Sequence, residues 1–149
     1  MTDLLRKLQY KDQGAILVLQ APDSFETDLK EWSDSATVAT QAKADSYGMI
    51  LAFAYQAADI PKLVETAVDL LTDDGLLWLA YAKKSSKTYQ TDITRDHGWE
   101  PLGKHGFEAV RQVAIDADWS ALRFRHIDSI KSFKRNKSRA LSEKGKKRN

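Results

Sequence analysis

Lys83, Lys84 and Lys87, with Ser85 and Ser86 between them, put three ammonium groups and two hydroxyls within five residues. Both group types satisfy phosphate oxygens, so the cluster suits a phosphate or a nucleic-acid backbone. A second cluster follows at Thr91-Asp92-Ile93-Thr94-Arg95-Asp96-His97-Gly98. Asp92, Asp96 and His97, with His105 eight residues on, have the types that acid/base work or metal ligation requires. Their spacing favours a structural role: Asp92 capping a short helix, Arg95 paired with a nearby acid, Gly98 in a left-handed cap. His97 and His105 match neither zincin nor zinc-finger spacing. No catalytic, cofactor-binding or metal-ligating residue is therefore assigned, and His126 reads as an exposed or half-buried strand residue.

The third chemical feature is the C-terminus. From Asp128 to Asn149 there are nine basic and two acidic residues, against fourteen and nineteen before it, so the net charge of +2 is a cancellation between a +7 tail and a −5 body. Lys134, Arg135, Lys137 and Arg139 head a run whose phosphate contacts would release counterions and add salt-dependent affinity for DNA, RNA or another polyanion. Only Ile130, Phe133, Ala140 and Leu141 are apolar there, too few to offset ordering entropy, which predicts a disordered arm. The domain boundary falls near Ser132, giving a domain over 1–132 and a tail over 133–149. A membrane surface is disfavoured, since only Phe133 and Leu141 can insert.

These groups must be positioned by a body of ordinary globular composition. The 149 residues make one domain, and 42% apolar content supports a core. With no cysteine, disulfides, thiolate metal sites and cysteine nucleophiles are excluded. The seven glycines stand singly, so no P-loop, dinucleotide fingerprint or nucleophile elbow occurs. No leader pattern or membrane-length apolar run is present, which implies a soluble, cytoplasmic protein.

Three continuous apolar runs, Ala15–Leu19, Met49–Tyr55 and Leu76–Ala82, read as strands covered on both faces of a parallel sheet. Between the last two, Ile60, Leu63, Val64, Ala67, Val68 and Leu71 form one helical stripe, with Asp59 as cap, Pro61 in the first turn and Asp73-Asp74-Gly75 as the stop. Phe25, Leu29 and Trp32 predict a short helix after the first strand, and Leu4, Leu5 and Leu8 another near the N-terminus. Ala36–Gln41 is a possible edge strand, although Tyr47 follows too soon for a parallel crossover between the two. Glu108–Asp116 and Trp119–Ile127 alternate, predicting an antiparallel hairpin at one end of the sheet, its second strand covered on one side only. The expected architecture is a Rossmann-like three-layer α/β sandwich, a mostly parallel sheet of five to six strands with a C-terminal antiparallel hairpin. The four tryptophans read as core, with Trp99 placed near enough to the Lys83 loop to stack a base.

From Tyr47 onward the chain resembles the C-terminal half of class I S-adenosylmethionine-dependent methyltransferases, through Tyr47–Tyr55, Val68-Asp69-Leu70-Leu71, Asp73-Asp74-Gly75-Leu76-Leu77-Trp78-Leu79 and Gly106-Phe107-Glu108-Ala109-Val110. Over roughly Gly14–Lys134 it is similar to an uncharacterised bacterial family classed as a domain of unknown function, through Trp78-Leu79-Ala80-Tyr81-Ala82-Lys83-Lys84 and Trp119-Ser120-Ala121-Leu122-Arg123-Phe124-Arg125. The methyltransferase resemblance implies a glycine-rich cofactor turn after the first strand, but Gln20-Ala21-Pro22-Asp23-Ser24 stands there. Asp23 and Glu26 have capping-box spacing, which would satisfy the helix's own amides and set two anions where a cofactor carboxylate would lie. Thr40 and Gln41 replace the acid that the family uses for the ribose, Asp45 being the nearest carboxylate. The function read from these residues is a non-catalytic binding protein without a cofactor, whose Lys83 loop and tail contact an anionic partner, nucleic acid first among them. Two alternatives are a divergent S-adenosylmethionine-dependent methyltransferase, and a protein–protein interaction module using the exposed hairpin face.

Overall fold

The computed structural model describes residues 1–130. Its elements are α1 (Asp3–Lys7), β1 (Ile16–Leu19), α2 (Glu26–Trp32), β2 (Val38–Ala39), β3 (Tyr47–Phe53), α3 (Ile60–Leu70), β4 (Leu71–Ala82), α4 (Glu100–Lys104), β5 (Phe107–Ala114) and β6 (Trp119–His126). One six-stranded sheet runs in the order β2-β1-β3-β4-β6-β5. The β1–β2, β1–β3 and β3–β4 pairs are parallel, and β6 is antiparallel to both its neighbours.

Apolar runs made this sheet central because both of its faces are covered. On one face α1 and α2 bring Leu5, Leu8, Phe25 and Trp32 onto Ile16, Met49, Trp78 and Trp119. On the other, α3 and α4 bring Ile60, Leu63, Val64 and Leu102 onto Leu17, Ile50, Leu79 and Phe124. The result is the Rossmann-like three-layer sandwich that the runs predict. Ala36–Gln41 does contain an edge strand: Val38 and Ala39 pair with β1 instead of β3, and the chain from Leu19 to Val38, carrying α2, is long enough for the crossover.

The hairpin lies at one end of the sheet as expected, with β6 between β4 and β5 and β5 at the edge. Four other expectations are corrected. The second hairpin strand is consequently covered on both faces, Leu122 and Phe124 in one cluster, Trp119 and Ala121 in the other. The Asp73-Asp74-Gly75 segment is not a helix stop: α3 ends at Leu70, Leu71 already belongs to β4, and these residues form an irregularity between the pairs Tyr47–Leu71 and Met49–Leu76. Asp59 does not act as a simple cap; its Oδ2 accepts from the Tyr55 and Gln56 amides at 3.0 Å, holding a 3-10 turn (Ala57–Asp59) that leads into α3. Asp23 and Glu26 form no capping box, since a 3-10 turn (Asp23–Phe25) starts after Pro22 with no side-chain cap.

A bulge in β5 sets the faces of the sheet edge. Ala109 pairs with Phe124 and Arg111 with Arg123, so Val110 is left over, 41% exposed. Phe107 and Ala109 therefore face α3 and α4, whereas Val113 faces α1 and α2. Among the described residues no helix is long and apolar enough to cross a membrane. The tail residues Lys134, Arg135, Lys137 and Arg139 lie outside the described residues.

Candidate functional site

The carboxyl ends of the parallel strands, where α/β sheets bind ligands, divide into two parts. Beside β1 and β3 the space is filled. The Phe25 and Phe53 rings meet at 5.1 Å between centroids, Phe53 meets Trp119 at 5.1 Å, and Trp119 meets Tyr55 at 5.2 Å and Tyr89 at 4.8 Å. The Tyr55 hydroxyl then donates to the Gln20 carbonyl at 3.0 Å, tying the two strand ends together. Gln20 adopts a left-handed φ of 56°, so this turn has the backbone bend without the bare backbone that a glycine offers.

Beyond β4 the edge is open. A cleft of about 550 Å³ is lined by Lys83, Lys84, Ser85, Arg95, Gln112 and Ser120 among others. A smaller one of about 200 Å³ adjoins it, sharing Arg95, Asp96 and Gln112 and reaching Arg111. The loop that presents the lysines is built, with its own hydrogen bonds. Ser86 Oγ donates to Asp118 Oδ1 at 2.8 Å and accepts from the Thr88 and Tyr89 amides, and the Lys83 amide donates to the Asp118 carbonyl at 2.8 Å. The loop is thereby anchored to the β5–β6 turn.

The opposite wall is held as firmly. Trp99 Nε1 donates to both the Thr94 and Arg95 carbonyls, at 2.9 and 3.0 Å, fixing the backbone that carries Arg95. The ring packs on Tyr81 and Phe124 and is only 3% exposed, so Trp99 is core, as the sequence predicts for the tryptophans, and is not available for the alternative of stacking a base. Gln112 Nε2 donates to the Tyr81 hydroxyl at 3.0 Å. Burial raises the Tyr81 pKa above its usual value, with Arg95 acting in the opposite direction.

Lys83, Lys84 and Arg95 surround this cleft, and their side chains have no hydrogen-bond or ion-pair partner among the described residues. By contrast, Arg125 is bound bidentately by Asp74 at 2.9 and 2.7 Å, and Arg123 donates to Gln9 Oε1 at 2.7 Å. Lys87 belongs to the same loop, outside the cleft lining.

The Asp92–His97 segment holds no helix. Asp92 Oδ1 accepts from the Ala57 amide at 2.7 Å, so it caps the turn ahead of α3 instead of a helix of its own. Thr94 and His97 form an isolated bridge, and Gly98 is left-handed as expected (φ 108°) but precedes α4. Among the described residues Arg95 is not paired to an acid through its guanidinium. Among the described residues no group of three or more histidines, cysteines or carboxylates is placed to hold a metal. His126 is half-buried, its Nδ1 accepting from the Asp128 amide at 3.2 Å.

Sequence reasoning reached the lysines of this site and missed Gln112 and Ser120. Ser120 faces the cleft because β6 is central, and Gln112 because the β5 bulge shifts its face; neither has a local sequence signal.

No protein-family model matches this chain, and no curated protein matches it. Solved structures do resemble it. A protein of Sulfolobus solfataricus assigned to the type 11 methyltransferases shares 10% identity, covering 89% of this chain and 94% of its own, with a TM-score of 0.49. The Bacillus subtilis tRNA methyltransferase TrmK shares 13% over 95% of this chain and 74% of its own, with a TM-score of 0.49. The N-methyltransferase NodS of Bradyrhizobium japonicum shares 13% over 83% and 92%, with a TM-score of 0.45. At these identities each neighbour's activity and ligand remain its own.

Proposed function

We propose that this protein is a non-catalytic binding protein that holds an anionic partner, nucleic acid in the first instance, at the Lys83 loop and the cleft beyond β4, with the basic tail adding affinity. The observation that carries this reading is the set of cations, Lys83, Lys84 and Arg95, without a side-chain partner among the described residues, around the cleft at the strand ends. Cations on a fixed loop lose little freedom on meeting phosphate, and counterion release then favours binding. Gel-shift titration of the full-length chain at low and moderate salt tests it. A shift that weakens steeply with salt is expected; no shift with DNA or RNA at low salt overturns the reading.

A divergent S-adenosylmethionine-dependent methyltransferase is the second reading, supported by the resemblance from Tyr47 onward. Against it stand a turn without glycine and the Tyr55, Phe25, Phe53 and Trp119 side chains packed beside β1 and β3. These residues do not fit the cofactor. Calorimetry decides between the readings: heat of binding with S-adenosylmethionine favours the enzyme, its absence the binding protein.

A further inference from the structure

We infer that the cleft beyond β4 and its smaller neighbour form one groove for an unpaired polynucleotide strand, running from Lys83 and Lys84 past Arg95 to the outer strand β5. This rests on the proposed nucleic-acid reading and specifies which form of nucleic acid the site accepts.

Continuity comes first. The two clefts share Arg95, Asp96 and Gln112, so the space entered beside the lysines continues across β6 to the outer strand β5. Two strand spacings separate β4 from β5, roughly 10 Å. A linear ligand with repeated charge matches this layout, because cations stand along the groove at Lys83 and Lys84 and again at Arg95 on the opposite wall, while the Arg111 side chain lies on the other face of the sheet beside Arg123. None of the Lys83, Lys84 and Arg95 side chains has an ion-pair or hydrogen-bond partner among the described residues.

Shape decides strandedness. A duplex carries its phosphates on a convex outer surface, whereas these cations line a concavity of about 550 Å³ with the Lys83 loop on one wall and the Thr94–Asp96 backbone on the other. That is within the usual range for sites that enclose small ligands, roughly 300–1,000 Å³. An unpaired strand can enter such a groove; a duplex can only touch its rim.

The neutral groups between the cations point the same way. Gln112, held by its bond to the Tyr81 hydroxyl, and Ser120 offer hydrogen bonds where a duplex would have its edges already paired. In a single strand the Watson–Crick edges are open to carboxamide and hydroxyl groups. With Trp99 buried against Tyr81 and Phe124, the groove binds through phosphates and base edges instead of aromatic stacking.

Fluorescence anisotropy of the full-length protein with a labelled mixed-sequence DNA strand, the matching RNA strand and the corresponding duplexes tests this. At least one single strand should bind roughly tenfold or more tighter than its duplex. Arg95→Ala and Lys84→Ala should each weaken that strand and lower the salt slope by about 0.7, the value for one phosphate contact on a single strand. Gln112→Leu should weaken binding without moving the slope. Equal affinity for duplex, or slopes unchanged in both the Arg95→Ala and Lys84→Ala variants, overturns the groove while leaving the proposed function standing. Absence of binding to every probe overturns both. All three side chains are exposed, so the variants are expected to fold, and unchanged circular dichroism verifies this.

Discussion

The Tyr55 hydroxyl donates to the main-chain carbonyl of Gln20 at 3.0 Å, so the chain segments leaving the neighbouring strands β3 and β1 are tied together at their carboxyl ends. Around this bond Tyr55 also packs on Trp119 and Tyr89, at centroid distances of 5.2 and 6.0 Å. The hydroxyl and the ring therefore do separable jobs. Tyr55→Phe keeps the packing and loses one partly solvated hydrogen bond, with an expected cost of about 0.5–1 kcal/mol by urea unfolding. It should produce no heat with S-adenosylmethionine, because the aromatic filling remains; binding in the variant would mean that the bond alone closes the site.

Trp78 ties α1 to the sheet. Its Nε1 donates to the Leu8 carbonyl at 3.0 Å, and both residues are fully buried. Trp78→Phe leaves that carbonyl without its donor and also leaves space, so a loss of about 2–4 kcal/mol is expected. The denaturation midpoint should fall with little change in slope, since the surface exposed on unfolding hardly changes.

Alkaline stability is set by buried phenols. Burial raises the pKa of Tyr10, Tyr55 and Tyr81 above the ordinary 10.0. Above about pH 10 the unfolded chain therefore binds fewer protons than the folded one, and stability falls as pH rises. The contribution is fully present below the unfolded-state value and is lost as the pH passes through the higher folded values. Urea unfolding should show stability level toward about pH 9 and declining beyond it, and Tyr81→Phe should make the decline shallower.

Long-range pairing explains what sequence made legible and what it hid. Met49–Phe53 and the Ile60–Ala67 stripe are uniform over many residues, so burial leaves a pattern that no other element imitates. Asp73-Asp74-Gly75 has turn chemistry, yet Asp74 at φ 52° serves an irregularity within β4, and composition is the same for both uses. The groove was half visible for a related reason. Lys83 and Lys84 follow a strand that can be read locally, whereas Gln112 and Ser120 face the cleft only through the β5 bulge and the insertion of β6 between β4 and β5.

Gly48 marks a close approach of two backbones. A Cβ at this position would stand 2.5 Å from the Gln13 carbonyl oxygen and 2.7 Å from its carbon, and neither can swing aside as a side chain does. Gly48→Ala must displace the segment leading into β1 or the start of β3, with an expected cost of about 1–3 kcal/mol. Thermal unfolding should show a lower midpoint, and a neutral result would mean that this approach is not tight in solution.

Asp92 provides the clearest separation between structural and chemical roles in the segment that first suggested catalysis. Its carboxylate accepts from the Ala57 amide at 2.7 Å, and the Asp92 amide donates to Gln56 Oε1 at 3.3 Å, so the residue clamps the start of the turn before α3. Asp92→Ala removes the acceptor and should cost about 1 kcal/mol, the usual effect of losing a cap. Asp92→Asn keeps an acceptor oxygen and should recover most of that stability. Neither change should weaken nucleic-acid binding, because Asp92 contributes no cation to the groove. A loss of binding in Asp92→Asn at unchanged stability would move this carboxylate from the scaffold into the site.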